Sequence, residues 1–295
     1  MNDPGAVVGG MQGALRLRFR PGLQGMRRVT VVDTLVQNPP LRVVRPFVLP
    51  DGAALVHLHN LSGGILGGDR LNMAVELLPG ARAQLTTTGA SRIYGRRQGI
   101  AWQENTFAVG AGGLLEYLPD PVIPYAGSAY RQRTQFVLGP DAGLFAWEVV
   151  APGREAHGEC FGYESFGWEW EVLVASEVAV RPLPIAVERV LLTPARRPLL
   201  SVARLGPYRY MATLLVCRVG GVQWERVERA LSALAEQTGL AEGGWWGVST
   251  LSAHGVVVKG LGQNGRRLLD GLSQFWGLAK ELLYAEKAIL PRKIY

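Results

Sequence analysis

Apolar and polar residues alternate along much of the first two hundred positions. In the run 15–20, Leu15, Leu17 and Phe19 occupy every second position and arginines fill the positions between them. A period of two indicates a strand with one buried face. The same period predicts further strands in the segments 71–77, 81–85, 103–109, 130–138, 144–150, 168–174 and 185–192.

Short clusters of turn-forming residues separate these segments. Examples are Leu78-Pro79-Gly80, the Gly-rich stretch 109–113 and the stretch 138–141. Strands that follow one another at such short spacing predict a mainly β architecture. We expect this β core to extend to about residue 222.

The periodicity changes to that of helices near the C-terminus. Apolar residues at helical spacing predict one helix over about 224–238, with Gly239 at the position expected for its end. A second helix is predicted over about 264–289, apolar over a wide arc and ended by Pro291. We expect a single domain over 14–295 and a flexible tail over 1–13.

The composition is that of a globular protein. Of the 295 residues, 48% are hydrophobic and 19% are charged, which argues against disorder. Cys160 and Cys217 lie too far apart in the sequence to form a zinc motif. The first thirteen residues do not resemble a signal peptide, and no run is long and apolar enough to cross a membrane. A cytoplasmic location is therefore expected.

The net charge of +7 raises the question of a nucleic-acid partner. The basic residues are scattered, however, and neither an RNA-binding motif with interleaved aromatic residues nor a helix-turn-helix pattern accompanies them. An acidic protein partner explains the charge at least as well. A nucleic-acid-binding module therefore ranks third among the functions considered.

Glycines are concentrated in the segment 61–69, which indicates a backbone conformation that other residues rarely adopt. A phosphate-binding loop would continue with Gly-Lys-Ser or Gly-Lys-Thr, and the first lysine of the chain is Lys259. The alternative is a tight double turn between strands in which Asp69 binds its own loop.

His57 and His59 are two apart on a predicted strand and could share a metal, but they could equally be two half-exposed strand histidines.

Carboxylates cluster in two further segments. Glu116 and Asp120 lie in the proline-rich stretch 115–125, which predicts an ordered loop. Glu155 and Glu159 alternate with His157 in the stretch 153–159. Paired carboxylates can serve acid/base catalysis, as in glycosidases, although carboxylates in loop salt bridges are commoner. A carbohydrate-active enzyme that uses Glu155 and Glu159 ranks second.

Four motifs, in order and spacing, resemble the UreD (UreH) family of urease accessory proteins. They are Ser-Gly-Gly-x-x-Gly-Gly-Asp at 62–69, Leu-Thr-Thr-x-Gly-Ala at 85–90, Leu-Glu-Tyr-Leu-Pro-Asp-Pro at 115–121 and Gly-Arg-x-Ala-x-Gly-Glu at 153–159. The resemblance extends through about residue 210. Thr88 and Arg92 stand where that family commonly has Gln and Lys, and the pair of histidines is not one of its hallmarks.

The resemblance implies a mainly β fold, an irregular right-handed β-helix of stacked sheets with two helices near the C-terminus. It also implies a chaperone rather than an enzyme, which binds UreF, the GTPase UreG and apo-urease, and neither nucleic acid nor membrane. No tightly bound cofactor is expected. Ni²⁺ would pass through transiently, by an internal path.

Oxygen ligands that release a metal readily suit such a path. The candidate metal ligands are the carboxylates Asp69, Glu116, Asp120, Glu148, Glu155 and Glu159. Arg154 would orient them, and the supporting residues are Gly63, Gly64, Gly67, Gly68, Thr86 and Thr87. The alternative for each carboxylate is a salt bridge or a turn cap.

Overall fold

The computed structural model describes residues 9–95, 99–175 and 182–290. In chain order the strands are β1 (Gln12–Gln24), β2 (Arg27–Asn38), β3 (Leu41–Arg42), β4 (Phe47–Val48), β5 (Ala54–Asn60), β6 (Ile65–Leu66), β7 (Arg70–Leu77), β8 (Arg82–Thr87), β9 (Ser91–Tyr94), β10 (Ala101–Val109), β11 (Leu114–Tyr117), β12 (Val122–Pro124), β13 (Ala129–Leu138), β14 (Gly143–Val150), β15 (Ser165–Val174), β16 (Leu183–Leu192), β17 (Tyr210–Arg218), β18 (Trp245–Thr250) and β19 (Gly255–Gly262). The helices are α1 (Trp224–Glu242) and α2 (Gly265–Tyr284).

The strands form two sheets that the chain visits in turn. One sheet has the order β16-β15-β13-β10-β7-β1-β2, and the main path of the other is β18-β19-β17-β14-β11-β8-β5-β3. From β5 to β15 each coil adds one parallel strand to each sheet, as in a β-solenoid of about four turns. The prediction of a mainly β, stacked-sheet fold with two C-terminal helices is confirmed.

The inward-facing apolar residues of successive strands form stacked rows inside the solenoid. Because β7, β10 and β13 pair in register, Val75, Phe107 and Phe136 lie above one another and are buried. The rings of Phe107 and Phe136 stack at a centroid distance of 4.9 Å. Burial of such rows between the two sheets provides the main apolar core.

Both helices cover the outer face of the second sheet and form another apolar core there. Trp276, Phe275 and Leu272 of α2 are buried against residues such as Phe145 and Trp147 of β14. As a result, β14 is buried on both faces. The inner face of the sheet remains turned towards the solenoid interior, where the candidate site lies.

The helix ends differ from the predicted ones by a few residues. Helix α1 continues through Gly239 to Glu242, and the left-handed residue that ends it is Gly243, with φ of 64°. Helix α2 ends at Tyr284 because Ala285 takes the left-handed conformation, before Pro291 is reached. At the other terminus, β1 begins at Gln12, within the segment predicted as a tail.

Candidate functional site

A cavity of about 300 Å³ lies between the two sheets. Strands of both sheets and the turns 60–64 and 87–92 line it. The exposed residues among them, including Gly63, Thr88 and Arg92, mark the end at which the cavity opens. Gly64 has no room for a side chain, since an added Cβ would come within 2.3 Å of the Tyr94 ring.

Glu148 is the most deeply placed carboxylate of this cavity. It points inward from β14, and only 4% of its surface is exposed. Gln132 Nε2 donates to its Oε2 at 3.1 Å, and within the described residues no cation pairs with it. Burial raises the pKa of Glu148 to about 8, and the negative charge of Glu188 adds to the rise. The structure thus keeps an ionisable group in a place where ionisation is unfavourable.

A chain of polar side chains extends from Glu148 across the first sheet. Gln103 and Gln132 lie in one stacked row, and Asn105 and Thr134 lie in the next. The Tyr130 hydroxyl is 2.9 Å from the side-chain oxygens of both Gln103 and Gln132. Asn105 donates to Thr134 at 3.1 Å. Of these residues, Gln103, Tyr130 and Gln132 line the cavity, and they give its wall several oxygen atoms that can accept hydrogen bonds or coordinate a cation.

Asp120 supplies the second carboxylate, from the proline-rich loop. Thr87 donates to Asp120 Oδ2 at 2.9 Å, and the Asp120 backbone N–H donates to the Thr87 hydroxyl at 2.8 Å. Trp147 fixes the same loop through a 2.8 Å hydrogen bond to the Pro119 carbonyl. The stretch 115–125 is ordered as predicted, but the prediction of a loop throughout was wrong: β11 and β12 occupy its two ends, and the loop is confined to residues 118–121. Thr86 alternates with Thr87 and donates to a backbone carbonyl at 2.7 Å outside the cavity.

Asp69 holds the Gly-rich loop together. One carboxylate oxygen accepts from the Met11 backbone N–H at 2.8 Å and the other accepts from that of Leu66 at 2.9 Å. This arrangement matches the double-turn alternative considered above. Asp69, Gly67 and Gly68 do not line the cavity, whereas Gly63 and Gly64 do.

Substitution of Asp69 tests this structural role. Asp69→Ala leaves two backbone N–H groups without these acceptors, and we expect a loss of about 1–3 kcal/mol in the free energy of unfolding. Asp69→Asn keeps one acceptor oxygen and should lose less. Chemical denaturation of both variants measures the difference. Equal stability of Asp69→Ala and the parent chain would contradict the assignment.

Glu116 lies on the opposite face of the second sheet, beneath α2. Trp276 Nε1 donates to Glu116 at 2.9 Å, Gln84 donates at 3.2 Å, and Lys280 Nζ lies 3.0 Å away. Burial raises the pKa of Glu116, while the charge of Lys280 counteracts the rise. This carboxylate joins the helix to the sheet and has no contact with the cavity.

The carboxylates of the 153–159 segment belong to a surface loop. Arg154 Nε donates to Glu159 at 3.0 Å and holds the pKa of that carboxylate down at about 2. Glu155 pairs with Arg209 at 3.2 Å and accepts from the Tyr210 hydroxyl. A general acid needs a raised pKa, so Glu159 is unsuited to the glycosidase role. Of the six candidate carboxylates, Arg154 binds only Glu159.

The two histidines have separate environments. His59 lines the cavity, while His57 packs edge-on against Phe47 at a centroid distance of 6.0 Å. In the part of the chain that the structure describes, no three His, Cys, Asp or Glu side chains come together as ligands for one metal.

The structure therefore brings Asp120 and Glu148 together with Thr87, Gly63 and Gly64 around one cavity, and places the other four candidate carboxylates elsewhere. Sequence reasoning missed the functional candidates Gln103, Tyr130 and Gln132. Their signal was present: they are polar or amphipathic residues at inward positions of otherwise apolar alternation.

Comparison with known proteins decides the family. The model of the family described as "UreD urease accessory protein" matches residues 11–294. The chain belongs to the UreD family. A Urease accessory protein UreD of Herpetosiphon aurantiacus is 43% identical over 290 residues, 97% of each chain. A UreD of Cenarchaeum symbiosum is 42% identical over 139 residues, 46% of this chain and 48% of its own.

Membership of the UreD family assigns a role in urease maturation. The family name describes an accessory protein, a helper rather than the enzyme. A UreD 2 of Brucella canis is similar at lower identity, 27% over 269 residues, 89% of this chain and 86% of its own. Neither helix of the described residues is long and apolar enough to cross a membrane.

Proposed function

We propose that this UreD chain bridges apo-urease and a UreF–UreG complex and assists GTP-dependent insertion of nickel. The chain is a scaffold in this proposal, and hydrolysis of GTP is assigned to UreG. Ni²⁺ is the cargo and crosses the chain through the cavity between the sheets. The single observation that supports this path is the cavity itself, which places two buried carboxylates beside polar side chains inside a solenoid whose core is mainly apolar.

The chemistry of the cavity wall suits a cargo that must be released. Asp120, Glu148 and the side-chain oxygens of Gln103 and Gln132 are hard ligands, which bind Ni²⁺ less firmly than a cage of His and Cys would. Conduction through a path requires binding that is favourable but weak enough to leave. Asp69, Glu116, Glu155 and Glu159 are assigned structural roles instead.

The test is reconstitution with purified partners. The chain is co-expressed with UreF, UreG and apo-urease, captured, and assayed for urea hydrolysis after addition of Ni²⁺ and GTP. We expect Glu148→Gln and Asp120→Asn each to retain capture and to lower activation at least about tenfold, because each replaces a carboxylate ligand of the path by a weaker amide ligand. Glu76→Gln, a change of the same type on the outer face of β7, should leave both capture and activation unchanged.

Two results would contradict the proposal in different ways. Failure of the parent chain to capture any partner would remove the bridging role. Full activation by the double variant Asp120→Asn/Glu148→Gln would leave the bridge intact and remove the cavity as the path.

A further inference from the structure

The open end of the cavity has a rim built from three adjacent pieces of chain. They are β3 with the segment that leads from it to Phe47 at the start of β4, the turn 60–64 that follows β5, and the start of β9. Arg42 of β3 pairs in register with His59, and both His59 and Arg92 line the cavity. The rim is therefore continuous with the path of the proposed function, on which the following inference rests.

The turn at the rim is held rigidly. The Asn60 side chain accepts from the Ser62 backbone N–H at 3.0 Å and donates to the Gly64 carbonyl at 3.3 Å. The Leu61 backbone N–H donates to the Pro40 carbonyl at 2.9 Å. Leu61 itself is 60% exposed at the tip of this turn. A rigid turn that presents a large apolar side chain to solvent offers a preorganised contact for another protein.

Three arginines give the rim its charge. Arg42, Arg45 and Arg92 are exposed, and none of them forms an ion pair with another residue of the described ranges. The carboxylates of the cavity, Asp120 and Glu148, are both buried more deeply. The rim therefore carries positive charge, and an uncovered rim repels a free divalent cation.

Apolar residues near the arginines favour a protein over a nucleic acid as the occupant. Val44 is 72% exposed and Phe47 is 49% exposed, and the Arg45 guanidinium lies 5.8 Å from the centre of the Phe47 ring. Arginine and aromatic residues around an apolar anchor are enriched in protein interfaces.

We propose that this rim, formed by Arg42, Arg45, Phe47, Leu61 and Arg92, is the docking surface for an acidic face of a partner protein. The partner covers the arginines, neutralises the positive potential and thereby lets the cation cross the mouth of the cavity. Delivery of the cargo then depends on docking, because a cation released into solution meets the repulsive rim.

The test compares two double variants with the same change in charge. Arg42→Glu/Arg92→Glu reverses the rim, and Arg196→Glu/Arg197→Glu reverses two exposed arginines after β16, outside it. Capture of the UreF–UreG complex and of apo-urease is measured separately, at low and high salt. We expect the rim variant to bind one of them about tenfold or more weakly at low salt, with a smaller deficit at high salt. The control should bind as the parent chain does.

Leu61→Asp, which leaves the arginines in place, should weaken capture of the same partner by about tenfold at both salt concentrations. Unchanged capture by both rim variants, with a functional parent chain, would overturn the docking surface and leave the proposed function standing. A parent chain that captures neither partner would overturn both. Loss of binding to a single-stranded oligonucleotide alone, with partner capture intact, would assign the rim to nucleic acid instead.

Discussion

Glu148→Gln is expected to stabilise the protein at pH 8 while it lowers activation of urease at least about tenfold. The folded chain holds the pKa of Glu148 at about 8, above the ordinary value of 4.5. The folded state therefore binds more protons than the unfolded state between these two values, and the free energy of unfolding falls as pH rises. The fall approaches about 1.4 kcal/mol for each pH unit.

Glutamine cannot ionise and keeps an oxygen that can accept the hydrogen bond from Gln132. The variant should match the parent chain at pH 4.5 and below, and should exceed it by roughly 3–5 kcal/mol once the carboxylate of the parent is ionised. The other groups that act on Glu148 leave this sign unchanged. Tyr117 and Tyr130 are neutral at pH 8 because burial raises the pKa of each, and Glu188 makes ionisation of Glu148 harder.

The measurement is urea unfolding of both proteins from pH 4.5 to pH 9. A difference that grows with pH supports the buried, unpaired carboxylate, and parallel curves would contradict it. Glu76→Gln, on the exposed face of β7, should show parallel curves and serves as the control. A residue that costs stability at neutral pH and is still needed for activation is best explained by function.

The alternation in the sequence predicts most of the strands, but it does not distinguish among the possible β architectures. Period two identifies strands and their inward faces, because strands of the first sheet such as β1 and β7 bury apolar residues on one face and expose polar residues on the other. The same pattern fits a sandwich, a barrel or a solenoid. The parallel stacking of β7, β10 and β13 depends on connections through the other sheet, which alternation does not reveal.

The candidate site was harder to predict because the second sheet is buried on both faces. Every residue of β11 is buried, so the pattern gives no sign that Tyr117 faces the cavity and Glu116 faces α2. The same holds for Glu148, which lies in a strand buried throughout. By contrast, the first sheet faces solvent, and Gln103 and Gln132 were visible as polar residues on its inward face.

Lys280→Met in helix α2 is expected to lower the free energy of unfolding by a large amount. The Lys280 side chain is 1% exposed, and its ammonium lies 3.0 Å from Glu116 and 3.6 Å from Asp51. Removal of the cation leaves the Glu116 carboxylate buried with only the N–H donors of Trp276 and Gln84. Breaking one side of a buried ion pair typically costs about 3–5 kcal/mol, and we expect a loss of this size in the free energy of unfolding.

A second substitution separates the loss of the charge partner from the loss of packing. Glu116→Gln/Lys280→Met removes both charges, so it should recover most of the stability that Lys280→Met loses. Lys287→Met changes an exposed lysine just beyond the same helix and should alter stability by less than about 0.5 kcal/mol.

The deficit of Lys280→Met should also depend on pH. Without the ammonium, the pKa of Glu116 rises further, and protonation of the carboxylate at acid pH removes the uncompensated charge. Stability of the single variant should therefore approach that of the double variant as pH falls. Thermal unfolding of the four proteins at pH 5 and pH 8 measures this. If the single and double variants were equally unstable at pH 8, the buried ion pair would have no part in fixing α2 on the sheet.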